Sequence, residues 1–262
     1  MSESSTKADY VAGLRSGLDE LHKYQSRPPT PDANPLADVK ALFESIPADL
    51  QASVLDKAIG KGIRRFRAAA SLLAECQQTE RVDNWITASL THPDTERRDW
   101  MIQIVGNNKL VRFAECIART VETDEQCRWF AVIAAGELQT ENCCDSLVSL
   151  ADSFGQEAIP ASLIIALSRF SSPRVTPHLE RVFRSHAEER DQVFAAWGLA
   201  RQGHQEAIEY LVRKLDEPDS STGSRRAAQA LSDLYGWDIE WTPEAARKAK
   251  ERWEESLHNK NA

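Results

Sequence analysis

The chain has 262 residues, of which 42% are hydrophobic and 27% charged, enough apolar material for a sizeable core and too much for a disordered chain. Acidic residues outnumber Lys plus Arg by 40 to 32, for a net charge of -8, which disfavours nucleic acid as a partner because neutralising phosphates calls for the opposite balance. No apolar run reaches the length of about 18 residues that a bilayer span needs. The five cysteines lack CxxC or metal-ligand spacing, and the polar N-terminus carries no leader pattern, so a cytoplasmic protein with reduced thiols and no membrane partner is expected.

The first element, Ala8 to Tyr24, places Val11, Leu14, Leu18 and Leu21 three and four residues apart, the spacing of one apolar helical face. It makes residues 1–26 a tail with an amphipathic helix. Residues 27–35 hold four prolines, which fix φ and remove backbone donors, so they form a stiff linker. Such a tethered helix invites the expectation of a removable cover lying in or beside a binding groove. Leu36 to Ile46 and Pro47 to Ile59 follow as two helices, the second opened by its proline and closed by Gly60 and Gly62. No strand-like alternation or hairpin signal occurs further on, so the chain is all-α.

An internal repeat organises the rest. Segments rich in small residues begin at Arg64, Arg97, Cys127, Ile159, Arg190 and Arg225, about 30 to 35 residues apart. A second apolar-periodic segment follows each one: Val82 to Leu90, Leu110 to Val121, Cys144 to Phe154, Val175 to Phe183, Glu206 to Leu215, and Pro243 to Leu257. Six helical pairs result, joined by turns whose Asp, Ser and Thr side chains can accept from the first N–H groups of the next helix. One pair cannot bury its own apolar face, whereas stacked pairs share a core. The expected fold is an α-α superhelix over residues 36–262: a right-handed solenoid of about six pairs, a capping pair at its C-terminal end and the extra helix at its N-terminal end. Ankyrin and tetratricopeptide signatures are missing from the columns where those repeats need them.

The segments Asp94-Thr-Glu-Arg-Arg98, Arg128-Trp-Phe-Ala-Val-Ile-Ala-Ala-Gly136-Glu-Leu138 and Arg226-Ala-Ala-Gln-Ala-Leu231 resemble HEAT-like repeats, particularly the short variety first associated with phycobilin lyases. The likeness covers roughly residues 60–257. It implies a helical-repeat fold with a concave binding face. It also raises two alternatives to a binding scaffold: a bilin-type attachment or lyase-like factor, and a protein similar to HEAT-like DNA glycosylases, the latter opposed by the acidic balance.

A column in the second helices, Arg119, Arg181, Arg213 and Arg247, recurs at one- or two-repeat spacing and could grip carboxylates or phosphates if it faces a groove. With the adjacent Arg112, His178 and Glu209 it makes a surface of mixed sign, which favours a protein or peptide partner. The competing reading of the column is helix stabilisation through Glu115 with Arg119 and Glu209 with Arg213, each four residues apart. The arginines that open the first helices, Arg98, Arg128, Arg190 and Arg225, read as salt-bridged starts of those helices. Trp100, Trp129 and Trp197 read as core, while Trp237, Trp241 and Trp253 read as the closing cap. The vicinal Cys143 and Cys144 stand beside Asp145, which raises rather than lowers a thiol pKa. No catalytic, cofactor or metal constellation is found, so the expected function is a non-catalytic protein-binding scaffold or adaptor. The sequence leaves the oligomeric state open.

Overall fold

The computed structural model describes residues 6–25, 35–60, 63–75, 80–185, 188–217, 222–239, 242 and 244–260. Among these the chain is all-α, and its helices pack in neighbouring pairs as a helical repeat requires. Two compact units divide it, residues 1–116 and 117–262.

The first unit holds α1 (Lys7–Gln25), α2 (Pro35–Ser45), α3 (Gln51–Ile59), α4 (Ile63–Glu75), α5 (Glu80–Leu90) and α6 (Thr95–Asn107). The expected apolar face of α1 is real, and Leu14, Leu18 and Leu21 are buried where α1 packs on α2, α3 and α4. Polar ties reinforce it: Arg15 donates to the Lys57 carbonyl at 2.7 Å, and Arg65 grips both carboxylate oxygens of Asp19 at 2.7 and 3.0 Å. The helix that suggested a detachable cover is thus built into the core of its own unit. Most of the proline-rich linker, 27–34, lies outside the described residues, and Pro35 is already the first residue of α2. Helix α3 begins at Gln51 rather than at Pro47, because the Pro47 carbonyl first closes a turn with the Leu50 amide at 2.8 Å.

A short 3₁₀ turn (Val111–Phe113) leads into α7 (Ala114–Thr123), whose residues run across the boundary between the units. The second unit then pairs α8 (Arg128–Leu138) with α9 (Glu141–Ser153), α10 (Ala161–Ser168) with α11 (Thr176–Arg184), α12 (Glu189–Arg201) with α13 (Gln205–Lys214), and α14 (Thr222–Tyr235) with α15 (Ala245–Lys260). These are the pairs the repeat specifies, within a few residues at each end.

The turns use polar caps where the sequence offers them: Asp94 accepts from the Glu96 amide at 3.0 Å, and Asp124 accepts from the Gln126 and Cys127 amides at 3.1 and 3.2 Å. Two of the arginines that open the helices bond to backbone carbonyls. Arg98 donates to the His92 carbonyl at 2.7 Å and Arg128 to the Val121 carbonyl at 2.9 Å, so each ties its helix to the end of the one before. Arg190 does pair with acids, Asp191 at 2.9 Å and Glu188 at 3.6 Å.

Within the second unit the first helices α8, α10, α12 and α14 pack directly on one another in series. Small residues permit this approach. A Cβ on Gly136 would lie 2.9 Å from the Ala166 Cα, and one on Gly198 would lie 2.8 Å from the Ser168 Cα, both closer than carbon atoms pack. The second helices cover one side of this row, burying Leu147, Leu179, Leu211 and Ala249. In the last pair Tyr235 stacks on Trp237 at 5.1 Å and meets Trp253 at 5.6 Å, an aromatic cluster at the end of the array. Trp241, the third tryptophan assigned to the cap, lies outside the described residues.

Candidate functional site

Among the described residues of the second unit no helix covers the other side of the first-helix row, and there the repeat sets side chains in three registers. Positions three and seven residues apart share a helical face, so each first helix offers one residue to each register. The first register is Phe130, Ser162, Phe194 and Arg226; the second is Ile133, Ile165, Trp197 and Gln229; the third is Glu137, Arg169, Arg201 and Asp233. Successive members stand 32 residues apart.

Large apolar groups dominate the first two registers. On α8 Ile133 is 51% exposed, Trp129 39% and Phe130 38%, values that place them outside any core. The assignment of Trp129 to the core is therefore corrected: small Ala131, Ala134 and Ala135 fill the packed side of α8, leaving the large ring on the open side. Trp197 is half-buried, but it too stands on this face.

Two clefts run between the helices here. One, of about 330 Å³, is walled by Ile133, Ser162, Ile165, Ala166 and Arg169. Its neighbour, of about 340 Å³, lies across α10, α12 and α14, with Ile165, Phe194, Trp197 and Arg226 among its walls. Ile165 and Arg169 line both, so the clefts adjoin along one ridge.

The third register braces the face. Arg169 reaches back one repeat to Glu137 at 2.9 Å, and Arg201 reaches back one repeat to the Arg169 carbonyl at 2.8 Å. Arg201 also lies over the Trp197 ring at 5.7 Å, and Arg226 over the Phe194 ring at 5.2 Å. Two residues that wall this second cleft carry enclosed donors with no acceptor among the described residues, Trp197 Nε1 and Arg226 Nη1. Burial, and then the like charge of Arg190, pull the Arg226 guanidinium below its ordinary pKa against the opposing charge of Asp191. Leaving such a donor buried and unpaired costs about 1–3 kcal/mol.

The residues singled out from the sequence lie elsewhere. Arg112, in the first unit, is held by Asp83 at 2.8 Å and lies over the Phe113 ring at 4.7 Å. Arg119 is exposed on α7 and Arg213 on α13. Glu209 accepts from Gln205 at 3.2 Å, not from Arg213, and Arg247 pairs along its own helix with Glu251 at 2.6 Å. His178 and Arg181 are brought together on α11, where His178 stands 3.5 Å from Asp152 and Arg181 donates to the Gly155 carbonyl. Arg181 also borders a third cleft of about 650 Å³, whose rim is mixed in sign through Glu157, Glu188, Arg190 and Asp191. Burial, helped by Arg181, holds the His178 imidazole below its ordinary pKa although Asp152 opposes it.

Burial raises both vicinal thiols, with Asp145 a lesser contribution at Cys144, so the direction expected from the sequence holds and its main cause is the core. No group of three metal-ligating side chains occurs among the described residues. The sequence signal that could have located the face was the composition of α8, which carries Trp129, Phe130 and Ile133 beyond what one packed stripe can bury.

This architecture is that of an α-helical-repeat protein with an apolar, arginine-braced face along its first helices. The family described as PBS lyase HEAT-like repeat matches residues 191–217, the span of α12 and α13 that carries Phe194, Trp197 and Arg201. The match supports the resemblance to HEAT-like repeats. No curated protein matches the chain.

Proposed function

We propose that the protein is a non-catalytic binding scaffold whose protein or peptide partner lies on the first-helix face of the second unit. The observation that carries this reading is the exposure of Trp129, Phe130 and Ile133 beside two adjoining apolar clefts. Binding energy concentrates in a few buried aromatic and arginine anchors, and this face supplies both kinds in one place. The bracing of Arg169 and Arg201 holds the surface in a fixed form, which lowers the ordering cost of association. The buried, raised thiols of Cys143 and Cys144 speak against thiol attachment chemistry at those two positions.

The test is a photo-crosslinking amino acid placed at position 133 on the face and, separately, at position 213 on α13. Illumination in the native cell should give a discrete adduct from position 133 and none from position 213. Adducts from 213 alone would overturn the assignment of the face.

A further inference from the structure

The three registers of the face are complementary to themselves. A two-fold interface needs one surface on which each position meets a fitting position of the same surface in a second copy. A two-fold axis laid along α10, parallel to the first helices, carries α8 of one copy over α12 of the other at the same level and brings α10 over its own counterpart. The first register then sets Phe130 against Phe194, and the second sets Ile133 against Trp197. The third sets the Glu137 carboxylate against the Arg201 guanidinium. At the axis Ile165 meets Ile165, and Arg169 is neutralised within its own chain by Glu137 at 2.9 Å. All of these side chains are at least partly exposed. Shape agrees with this pairing: α8 projects Phe130 and Ile133, and the cleft of about 340 Å³ walled by Phe194 and Trp197 lies where the rotation sets them. Charge agrees as well. The registers hold three guanidiniums and two carboxylates, so a second copy of a chain of net charge -8 meets here a nearly balanced surface that does not repel it.

We propose that the occupant of the face is a second copy of this chain, in a reversible dimer whose two-fold axis runs along α10. Phe130 and Ile133 of each copy seat on Phe194 and Trp197 of the other. Glu137 uses Oε2 for Arg169 of its own chain, which leaves Oε1 to accept from Arg201 of the second copy. Three helices, each about 8–10 Å wide and about 12–18 Å long, offer about 400 Å² per copy, against the about 800 Å² per partner of a standard stable interface. The dimer is therefore a weak, micromolar one, and unfolding followed below its Kd reads the single chain. This proposal rests on the binding face proposed above and names the partner of that face.

Sedimentation velocity of the purified full chain, from low to high micromolar concentration, should show a monomer–dimer equilibrium. Arg201→Glu opposes Glu137 of the second copy with like charge and should weaken the dimer about tenfold or more, with the helical circular dichroism unchanged. Ile133→Glu changes an exposed position and should weaken it as much, so it stands in if Arg201→Glu does not fold. The seating is read by a photo-crosslinking amino acid at position 133 in an equal mixture of unlabelled and isotope-labelled chains. Adducts joining one labelled and one unlabelled chain should map from position 133 to α12 at or beside Trp197. A chain that stays monomeric throughout, a dimer that neither substitution weakens, or adducts confined to α8 or to the second helices overturns the proposal. An adduct between position 133 and a different protein in the native cell, with the purified chain monomeric, would leave the face standing and remove only the second copy. No adduct in either setting removes both.

Discussion

At the scale of single residues, the molecule spends its small side chains where helices must touch and its large ones where they need not. Gly198 shows the first half: an added methyl group meets the Ser168 backbone at 2.8 Å and the Leu179 side chain at 2.7 Å. Gly198→Ala should therefore lose about 1–3 kcal/mol to overpacking and regain only about 1 kcal/mol of helix propensity. A lower urea midpoint is the expected result, and an unchanged or higher one would show that α12 can move away from α10 freely. His178 sets a pH dependence. Its imidazole titrates below the unfolded value of about 6.5, so the unfolded chain takes up the proton first. The stability this neutral histidine contributes is complete above that value and is lost as pH falls through the folded-state pKa. Urea unfolding from about pH 7.5 down to 5 should show this loss in the wild type and less of it in His178→Asn.

At the scale of elements, the first helices serve two surfaces at once. Their alanines and glycines pack helix on helix, and the residues turned the other way make the candidate site. This division explains what the sequence revealed. The pairs and their turns were legible because the 3.6-residue periodicity and the polar breaks at Asp94 and Asp124 are local signals. The candidate side was not, because a first helix such as α8 is apolar on nearly all sides, and one sequence does not say which side its neighbours cover. Trp129 and Ala131 differ in exposure only through what α10 packs against. The second-helix arginines were visible as a column, yet Arg247 turns to Glu251 and Arg181 to a loop carbonyl, so repeat spacing alone does not make them one surface. Ile133 tests the division. Its side chain is half exposed, so Ile133→Glu should change stability by less than about 0.5 kcal/mol. A loss several times larger in thermal or urea unfolding would mean that α8 packs this side after all.

At the scale of the whole molecule, an acidic chain carries a local basic and aromatic face. The net charge of -8 opposes approach of a polyanion. A labelled DNA duplex should show no mobility shift with this protein at physiological salt; a shift that weakens steeply as salt rises would favour a phosphate-binding role. The central claim is that binding belongs to the first-helix face and not to the arginines of the second helices. It is tested most directly by affinity capture from the native lysate with three forms of the protein: wild type, Trp129→Ala with Ile133→Arg, and Arg213→Glu with Arg247→Glu. All three must keep wild-type helicity by circular dichroism. A partner enriched by the wild type should be lost with the first double variant and retained with the second. Retention by the first and loss by the second would move the binding site to the second helices and contradict this account.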